Sequence, residues 1–263
     1  MPKQFTNIDY NDIISKRAKI EMGGNMLNGK IIVIEGTGDS GKQTQTKALK
    51  ERLQKEGYNV FQMAFPNYSS QSSALVKMYL GGQIGKSPSD VSAEAASMTF
   101  ALDRYVTYKR EIEKVYKEGK CVFLFDRYTP SNIIHQGCKV IDDNLDELEN
   151  EEVLTKFILW LYNLEHRDLK IPKTNKTIYL NVPVEYTIEL RKDRSNKIVC
   201  EDAQDIHEAD VDYLRKASKT GLMAAKQLDW TIIECVKDNK MRSIEDIAEE
   251  IYQKVMKDYI YIK

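Results

Sequence analysis

The stretch from residue 31 to residue 44 reads Ile31-Ile32-Val33-Ile34-Glu35-Gly36-Thr37-Gly38-Asp39-Ser40-Gly41-Lys42-Gln43-Thr44. Its four β-branched residues predict a strand that is buried on both faces. Gly36 and Gly41 bracket a short loop, and the chain after Lys42 has the apolar spacing of an amphipathic helix. This order of strand, G-x-x-x-x-G-K loop and helix predicts a P-loop, in which backbone N–H groups, a helix N-terminus and a lysine bind phosphate.

The P-loop predicts a site for the phosphates of a nucleotide and, with it, a metal site. A glycine-rich turn followed by a surface lysine is the alternative, and the flanking strand and helix disfavour it. Gln43 stands where Ser or Thr usually ligates Mg²⁺, so the metal contact is open between Gln43 and Thr44. The predicted nucleotide-binding residues are Gly36, Thr37, Gly38, Asp39, Ser40, Gly41, Lys42, Gln43 and Thr44.

The composition excludes several classes of protein. The chain has 263 residues, and 39 Lys and Arg against 40 Asp and Glu leave no overall field that favours nucleic acid or a membrane surface. The four cysteines lie far apart, and the three histidines share no metal-ligand spacing. The longest apolar run, 157–164, is too short to span a bilayer, and the N-terminus lacks a signal-peptide core. We therefore expect a protein of a reducing, bacterial-type cytoplasm with no nucleic-acid or membrane partner.

Strands and helices alternate along most of the chain. Helices are predicted from 42 and from 129, and over 70–80, 90–117, 154–164, 183–191, 206–228 and 243–255. They separate strands predicted at 31–34, 58–64, 121–125, 177–181 and 231–236. This alternation predicts an α/β fold with a doubly wound parallel sheet, whose ligands bind beyond the carboxyl ends of the strands.

Two segments depart from this pattern. Residues 1–28 are polar and mixed in charge, and they predict an appended arm, with Met26 as an alternative start. Residues 29–263 are expected to form a single domain. Within it, the charged stretch 191–205 predicts an irregular, mobile lid. Asp205 and Glu208 have the spacing of a capping box for the next helix, and no catalytic role is assigned to them.

Four motifs in a fixed order make the prediction more specific. They are E-G-x-x-x-S-G-K-Q-T-Q from Glu35, F-P-N-Y from Phe65, F-x-x-x-R from Phe100 and D-R-Y-T-P-S-N from Asp126. With these motifs the chain resembles the thymidylate kinases from Lys30 to the C-terminus, in particular a Gram-positive-type branch. The resemblance implies a P-loop nucleoside monophosphate kinase fold with a short lid. It also implies transfer of the γ-phosphoryl group of ATP to dTMP with Mg²⁺, and a homodimer.

The base of the acceptor nucleotide is expected to contact Phe100 and Arg104, which share a helix face because they are four residues apart. An aromatic ring can stack on a pyrimidine while a guanidinium donates to its exocyclic oxygen. The alternative for Phe100 is an ordinary core position. Ser131 and Asn132 follow in the first turn of a later helix. An amide there can both donate to and accept from a pyrimidine edge, and helix capping is the alternative.

Further acceptor contacts are predicted around Asp126 and Arg127. A guanidinium at a strand end is suited to phosphate, with a structural ion pair as the alternative. By resemblance and position, Asp126 is expected to help hold the water shell of Mg²⁺. Asn67 replaces an arginine that many relatives carry, which removes a positive charge from the acceptor site. The remaining substrate-binding candidates, implied by the resemblance, are Phe65, Tyr68 on the phosphate side and His135 beside the sugar.

Phosphoryl transfer needs positive charge over the migrating group. One type of thymidylate kinase supplies it from the P-loop at the position that is Asp39 here, so the lid is expected to supply it. Arg194 is the first candidate and Arg191 the second, although such a charge run is as often a solvated face. Relatives tend to read Asp-Gly where this chain has Gly38 followed by Asp39. The acid resembles one that accepts a hydrogen bond from the acceptor's 3′-hydroxyl, and we expect its shift to weaken that contact.

The resulting interpretation is a cytosolic dTMP kinase with Lys42, Arg127, Arg194 and Arg191 as catalytic residues. One alternative is a related kinase that acts on another pyrimidine deoxynucleotide or on a deoxynucleoside. Another is a nucleotide-binding protein with low turnover, because Gln43 and the Gly-Asp order deviate from common patterns. A signalling GTPase is disfavoured, since the sequence contains no N-K-x-D motif.

Overall fold

The computed structural model describes residues 28–195, 206–207 and 210–259. Apart from Asn28, the predicted arm at 1–28 lies outside the described residues, and so does most of the predicted lid. Within the described ranges, no helix is long and apolar enough to cross a membrane.

The strands are β1 (Lys30–Glu35), β2 (Val60–Ala64), β3 (Val122–Asp126), β4 (Lys176–Asn181), β5 (Thr231–Glu234), β6 (Val236–Lys237) and β7 (Lys240–Met241). Five of them form one parallel sheet in the order β2-β3-β1-β4-β5. A small antiparallel pair, β6 and β7, follows β5. Because β1 is the middle strand, the loop that follows it leaves the sheet at its centre, between β3 and β4. The predicted α/β fold with a parallel sheet flanked by helices is confirmed.

Helices flank the sheet and connect its strands. They are α1 (Lys42–Lys55), α2 (Ala74–Leu80), α3 (Ala93–Thr107), α4 (Glu113–Glu118), α5 (Thr129–His135), α6 (Glu147–Tyr162), α7 (Val184–Ser195), α8 (Val211–Gln227) and α9 (Ile244–Tyr259). Short 3₁₀ turns lie at Gln71–Ser73, Pro88–Asp90 and Gly137–Lys139.

Strand β1 is buried on both faces because a different set of helices covers each face. Ile32 and Ile34 belong to a core cluster with apolar residues of α1 and α9. Ile31 and Val33 belong to another cluster, which includes Tyr108 from the segment after α3. The four β1 side chains are at most 1% exposed, which explains why the strand reads as a continuous apolar run instead of an alternating one.

The helix predicted over 90–117 is interrupted. Pro88–Asp90 form a separate turn, and α3 begins after Ser92, whose hydroxyl accepts a hydrogen bond from a backbone N–H of the first turn. A π-helical turn, Tyr108–Ile112, then separates α3 from α4. A second π-helical turn, Asn163–Asp168, follows α6. A π turn adds one residue to a helix without changing its apolar character, so hydrophobic spacing alone does not reveal it.

Other element boundaries also differ from the prediction. Helix α8 begins at Val211, with the Asp210 side chain as its cap, and not at residue 206. Helix α5, by contrast, begins at Thr129 as predicted, and no hydrogen bond from a described side chain caps it. Strand β5 ends at Glu234, before the predicted 236. Helix α7 continues to Ser195, so the first five residues of the predicted irregular lid are helical and the remainder lies outside the described ranges.

The cysteines behave as small apolar side chains. Cys121, Cys138 and Cys235 are free and are at most 2% exposed. Cys200 lies outside the described residues.

Candidate active site

Two cavities, each of about 430 Å³, lie beside Asp126 and Arg127 at the carboxyl end of β3. The P-loop cavity is lined by Gly38, Asp39, Ser40, Gly41, Lys42, Gln43, Thr44, Gln45, Asp126, Arg127, Leu190, Met241, Arg242, Ile244 and Ile247. The α5 cavity is lined by Gly38, Gln43, Ala64, Phe65, Pro66, Tyr68, Leu80, Phe100, Arg104, Asp126, Arg127, Ser131, Asn132, His135, Gln136, His207 and Leu214. Four residues line both cavities and form a shared wall: Gly38, Gln43, Asp126 and Arg127.

The two predicted sets of binding residues are assigned largely to different cavities, with Gly38, Gln43 and Arg127 in both linings. Seven of the nine predicted nucleotide-binding residues line the P-loop cavity, and all the predicted acceptor residues line the α5 cavity. Gly36 and Thr37 lie outside both linings. A Cβ on Gly36 would meet Ser40 Oγ at 2.6 Å and the Leu180 carbonyl at 3.0 Å, and its φ is +153°. Gly36 therefore serves the close packing of the loop against β4.

Lys42 is the first residue of α1, after Gly41 at φ +85°. The sequence suggests a solvent-facing side chain, but Lys42 is only 7% exposed. Its Nζ donates to the Thr37 carbonyl at 2.6 Å, because the loop folds back over the ammonium group. Burial, followed by repulsion from Arg127, lowers the pKa of Lys42 to about 7. The loop thus buries the Lys42 ammonium group without enough nearby negative charge to offset the loss of its hydration.

The outer part of the P-loop cavity comes from residues that the motifs do not mark. Leu190 of α7, Met241 of β7 and Ile244 of α9 give it an apolar side. Arg242 also lines it, but its guanidinium is held by Asp246 and Glu250, each at 2.7 Å. This combination of an apolar side and a phosphate loop is suited to a nucleotide. Strand β7, which no sequence signal predicted, supplies Met241 to the apolar side.

Asp126 and Arg127 form the middle of the shared wall. Arg127 has φ +65°, a left-handed conformation that is unusual for a side chain of its size and is typical of functional sites. Its Nη1 donates to Nε2 of His135 at 2.7 Å. Asp126 Oδ1 is buried and has no hydrogen-bond partner among the described residues. The wall therefore brings a guanidinium and a carboxylate to both cavities.

Glu35, the last residue of β1, forms hydrogen bonds with residues that follow Arg127 in the chain. It was assigned no role from the sequence. It is fully buried and accepts hydrogen bonds from the Tyr128 backbone N–H at 2.9 Å and from the Ser131 hydroxyl at 2.8 Å. Burial raises the pKa of Glu35 to about 7, against the opposing charge of Arg127. Because Ser131 donates to Glu35, its hydroxyl can only accept from a ligand.

Arg104, Asn132 and Glu165 form a buried polar cluster at the α5 cavity. The Nε and Nη2 groups of Arg104 donate to the two carboxylate oxygens of Glu165, each at 2.7 Å, and both side chains are at most 2% exposed. Asn132 Nδ2 donates to Glu165 at 3.0 Å and to the Ser97 carbonyl at 3.1 Å. The expectation that the Asn132 amide both donates and accepts is therefore wrong in part, because both of its N–H groups are already used. Glu165 was missed, since it lies on the π-helical turn.

The F-P-N-Y segment is held by another buried carboxylate. Asp103 accepts from the Asn67 backbone N–H at 2.8 Å and from the Ser72 hydroxyl at 2.6 Å. The Asn67 side chain turns away toward Glu111, at 3.1 Å, and does not line the cavity. Phe65 is buried after β2 and joined to Pro66 by a cis peptide bond, while Tyr68 is half exposed.

Two histidines and a glutamine complete the α5 cavity. Gln136 is fully buried, and neither polar atom of its side chain has a partner among the described residues. Burial holds the pKa values of His135 and His207 well below the usual range, so both are neutral near pH 7. Since Arg127 can only donate, His135 Nε2 accepts and Nδ1 carries the proton, without a partner in the described part of the chain. His207 bonds Tyr79 at 2.8 Å.

The remaining sequence candidates fall outside these contacts. Asp39 lines only the P-loop cavity, whereas Gly38 before it lines both. The side chains of Arg191 and Arg194 lie outside the described residues, although the backbone of α7 continues through both.

The profile of the family described as "Thymidylate kinase" matches residues 34–251, which include both cavities and all the motifs. The chain belongs to the thymidylate kinase family. It is accordingly an ATP-dependent phosphotransferase, a dTMP kinase that forms dTDP. The branch within the family is not indicated by the comparisons.

Individual relatives are distant but extend over most of the chain. The chain is 28% identical to the thymidylate kinase of Plasmodium falciparum, over 87% of this chain and 90% of that protein. It is 25% identical to a probable thymidylate kinase of Pyrococcus abyssi, over 86% and 95%. For one from Pyrococcus horikoshii the identity is 34%, but the match spans 45% of this chain and 57% of that protein. The solved thymidylate kinase of Candida albicans has a similar fold, with a TM-score of 0.60 and 19% identity over 90% and 94% of the two chains.

Proposed function

We propose that the chain transfers the γ-phosphoryl group of ATP to dTMP across the wall that the two cavities share. The observation that carries this proposal is the grouping of the predicted residues. Those for ATP line the P-loop cavity, those for dTMP line the α5 cavity, and Arg127 lines both. ATP would place its phosphates on the loop and Lys42, with its base against the apolar side formed by Leu190 and Met241.

The acceptor would place its base against Phe100, with Arg104 and Asn132 on the base edge. Arg104 Nη1 has no hydrogen bond within the described residues and can donate to a base oxygen. Gln136 adds an amide that has no partner among the described residues, and His135, which accepts a hydrogen bond from Arg127, lines the same cavity. Arg127 would pair with the acceptor phosphate, since a guanidinium binds phosphate in a bidentate manner.

Mg²⁺ fits the residues present. The unpaired Oδ1 of Asp126 is an oxygen ligand of the kind that Mg²⁺ prefers, directly or through water, and Gln43 and Thr44 offer neutral oxygens nearby. Among the described residues no group of three or more acidic, His or Cys side chains could hold a metal alone. This suits a metal bound largely by substrate phosphates and water, which when bound neutralises charge on the transferring group.

Arg194 is proposed as the arginine that acts on the transferring phosphoryl group, with Arg191 as the second candidate. Leu190 lies in the wall of the P-loop cavity, and Arg194 follows it by one helical turn in α7. In this reaction class an arginine of this kind accelerates transfer by several orders of magnitude.

A homodimer is the proposed assembly, as the resemblance implies. Four large apolar side chains on the adjacent helices α2 and α3 are 40–45% exposed, and a second copy would cover them. They are Leu75, Met78, Met98 and Leu102. Light scattering should give twice the chain mass, and Leu102→Glu should halve it. A monomeric wild type would remove this part of the proposal.

We also place the enzyme in the cytoplasm, because the described cysteines are free.

The proposed assignment to a Gram-positive-type branch of the family rests on the G-K-Q-T-Q motif alone. The relatives named above are from archaea and from eukaryotes.

The test of the proposed function is ADP release with ATP and Mg²⁺ against a panel of nucleoside monophosphates and nucleosides. We expect dTMP to give the highest kcat/KM and the corresponding nucleosides to give almost none. A preference for thymidine over dTMP would indicate a deoxynucleoside kinase. The absence of turnover with every acceptor, despite ATP binding, would indicate a binding protein.

A further inference from the structure

We propose that Glu165 sets the base selectivity of the α5 cavity by fixing which groups on Arg104 and Asn132 face the base. This inference rests on the proposed function, because it assumes that a pyrimidine nucleotide occupies that cavity. Glu165 is a positioning residue and not a catalytic one, since it lies behind the cavity wall and does not line it.

The orientation of the Asn132 amide follows from its neighbours. The Ser97 carbonyl and the Glu165 carboxylate can only accept hydrogen bonds, so the NH₂ end of Asn132 must face both of them. The Oδ1 end has no hydrogen bond to any described residue, and Asn132 lines the cavity. The amide therefore presents only an acceptor to a ligand.

Glu165 fixes Arg104 in a similar way. The bidentate pair uses Nε and Nη2 and holds the guanidinium plane, which leaves Nη1 as the group without a partner in the described structure. A guanidinium cannot accept a hydrogen bond. The Glu165 carboxylate, 1% exposed, thus fixes a donor on the wall of the cavity and, together with the Ser97 carbonyl, an acceptor on the same wall.

The donor of Arg104 and the acceptor of Asn132 complement the base edge of thymine and uracil but not that of cytosine. Thymine and uracil present the acceptor O4 beside the donor N3–H, whereas cytosine presents the N4 amino donor beside the acceptor N3. In the fixed arrangement, a cytosine would place donor against donor and acceptor against acceptor. Gln136 does not provide this selection, because its amide has no partner among the described residues that would fix its orientation.

The chemistry predicts an unusual order among Glu165 variants. Glu165→Gln keeps the size of the side chain but places an NH₂ group against a donor of Arg104 or Asn132. Glu165→Asp shortens the side chain but keeps a charged double acceptor. If Glu165 served only to fill space, the Gln variant would be the milder one. If it orients Arg104 and Asn132, the Asp variant should be milder.

The experiment measures kcat/KM for dTMP, dUMP and dCMP in the wild type and in both variants. The dUMP-to-dCMP ratio of kcat/KM measures the contribution of the base edge alone, since uracil and cytosine differ only at N3 and C4. We expect Glu165→Gln to lower the dTMP-to-dCMP and dUMP-to-dCMP ratios roughly ten- to a hundredfold, mainly through KM for dTMP and dUMP. Glu165→Asp should retain most of both ratios.

The control is Val255→Ala, a core change in α9, whose core cluster contains no residue of α3, α5 or the π-helical turn that carries Glu165. It should destabilise the protein without altering either ratio. Unchanged ratios in a folded Glu165→Gln variant, or a larger loss in Glu165→Asp, would overturn the inference. If Glu165→Gln does not fold, the double change Arg104→Met with Glu165→Met removes both buried charges. This variant should also have lower dTMP-to-dCMP and dUMP-to-dCMP ratios of kcat/KM. Ratios as high as those of the wild type would overturn the inference. A wild type that does not prefer dTMP would instead contradict the proposed function.

Discussion

The P-loop cavity takes eight of its lining residues from one continuous stretch, residues 38–45, whereas the α5 cavity combines side chains from distant segments. Arg104 and Glu165, which define the polar side of the second cavity, are 61 residues apart. In the first cavity the backbone forms the site and few side chains are needed. In the second, buried ion pairs hold the side chains in place, so that a change far from the ligand alters the contacts.

The largest effect should come from the P-loop side. Lys42→Ala should lower kcat by more than 10³-fold, because it removes a positive charge that no other described residue of the loop replaces. The fold should persist, since burying this ammonium opposes folding, as its lowered pKa shows. The assay is ADP release, with circular dichroism to check the fold. Lys47→Ala, an exposed change in the same helix, is the control and should be silent.

A variant with near-full turnover would show that Lys42 does not contact the donor phosphates. That result would also remove the basis for calling the P-loop cavity the ATP site.

Arg194→Ala should lower kcat roughly 10³-fold with little change in KM for dTMP, because the residue is expected to act mainly in the transition state. Steady-state kinetics against both substrates provide the measurement. Arg191→Ala is the matched control and should have the smaller effect. The reverse order would exchange the two roles, and two silent variants would exclude the helix as the source of the catalytic charge.

The double swap Gly38→Asp with Asp39→Gly tests the boundary between the cavities. Gly38 lines both, but the carboxylate one residue later lines only the P-loop cavity. The swap should return an acid to the acceptor side and relieve the left-handed φ of +53° at Asp39. A hydrogen bond to a charged group contributes about 1.5–3 kcal/mol. We therefore expect dTMP to bind roughly ten- to a hundredfold more tightly.

The control ligand for this swap is the 3′-deoxy analogue of dTMP, whose affinity should change less. Equal changes for the two ligands, or a loss for dTMP alone, would show that Asp39 already contacts the 3′-hydroxyl from its own position.

The P-loop cavity is built largely from one stretch of sequence and the α5 cavity from several distant ones. This difference determines how well the sequence predicts each cavity. The P-loop is a local pattern, so its strand, loop and helix could be recognised from neighbouring residues. Phe100 and Arg104 could be found because helical spacing places them on one face. Glu165 could not, because a π-helical turn sets its direction and its partners come from two other helices. Gln136 gave no signal either, since an amide becomes informative only when it is buried without a partner.

The smallest predicted effect concerns stability and pH. The pKa of Glu35 rises from 4.5 when unfolded to about 7 when folded, mainly through burial. Between these values the folded state keeps a proton that the unfolded state has lost, so this group lowers the free energy of unfolding as pH rises from 4.5 to 7. The penalty is absent below this window and complete above it. Glu35→Gln should therefore be more stable, relative to wild type, at pH 7.5 than at pH 5.

Each pKa unit corresponds to about 1.4 kcal/mol, so the gain from Glu35→Gln should be on the order of 1–3 kcal/mol. Thermal denaturation of the ligand-free proteins at the two pH values measures it. A constant difference between the variants across this range would show that Glu35 is not protonated when buried.

The buried ammonium of Lys42 also has a calorimetric consequence. With its pKa near 7 in the empty loop, this group is mostly neutral at pH 8. The negative charge of the ATP phosphates favours its protonated form, so ATP binding at pH 8 should take up close to one proton per site. The binding heat should then vary with the ionisation enthalpy of the buffer. The P-loop thus couples nucleotide capture to proton uptake, and the slope of heat against buffer enthalpy counts the protons.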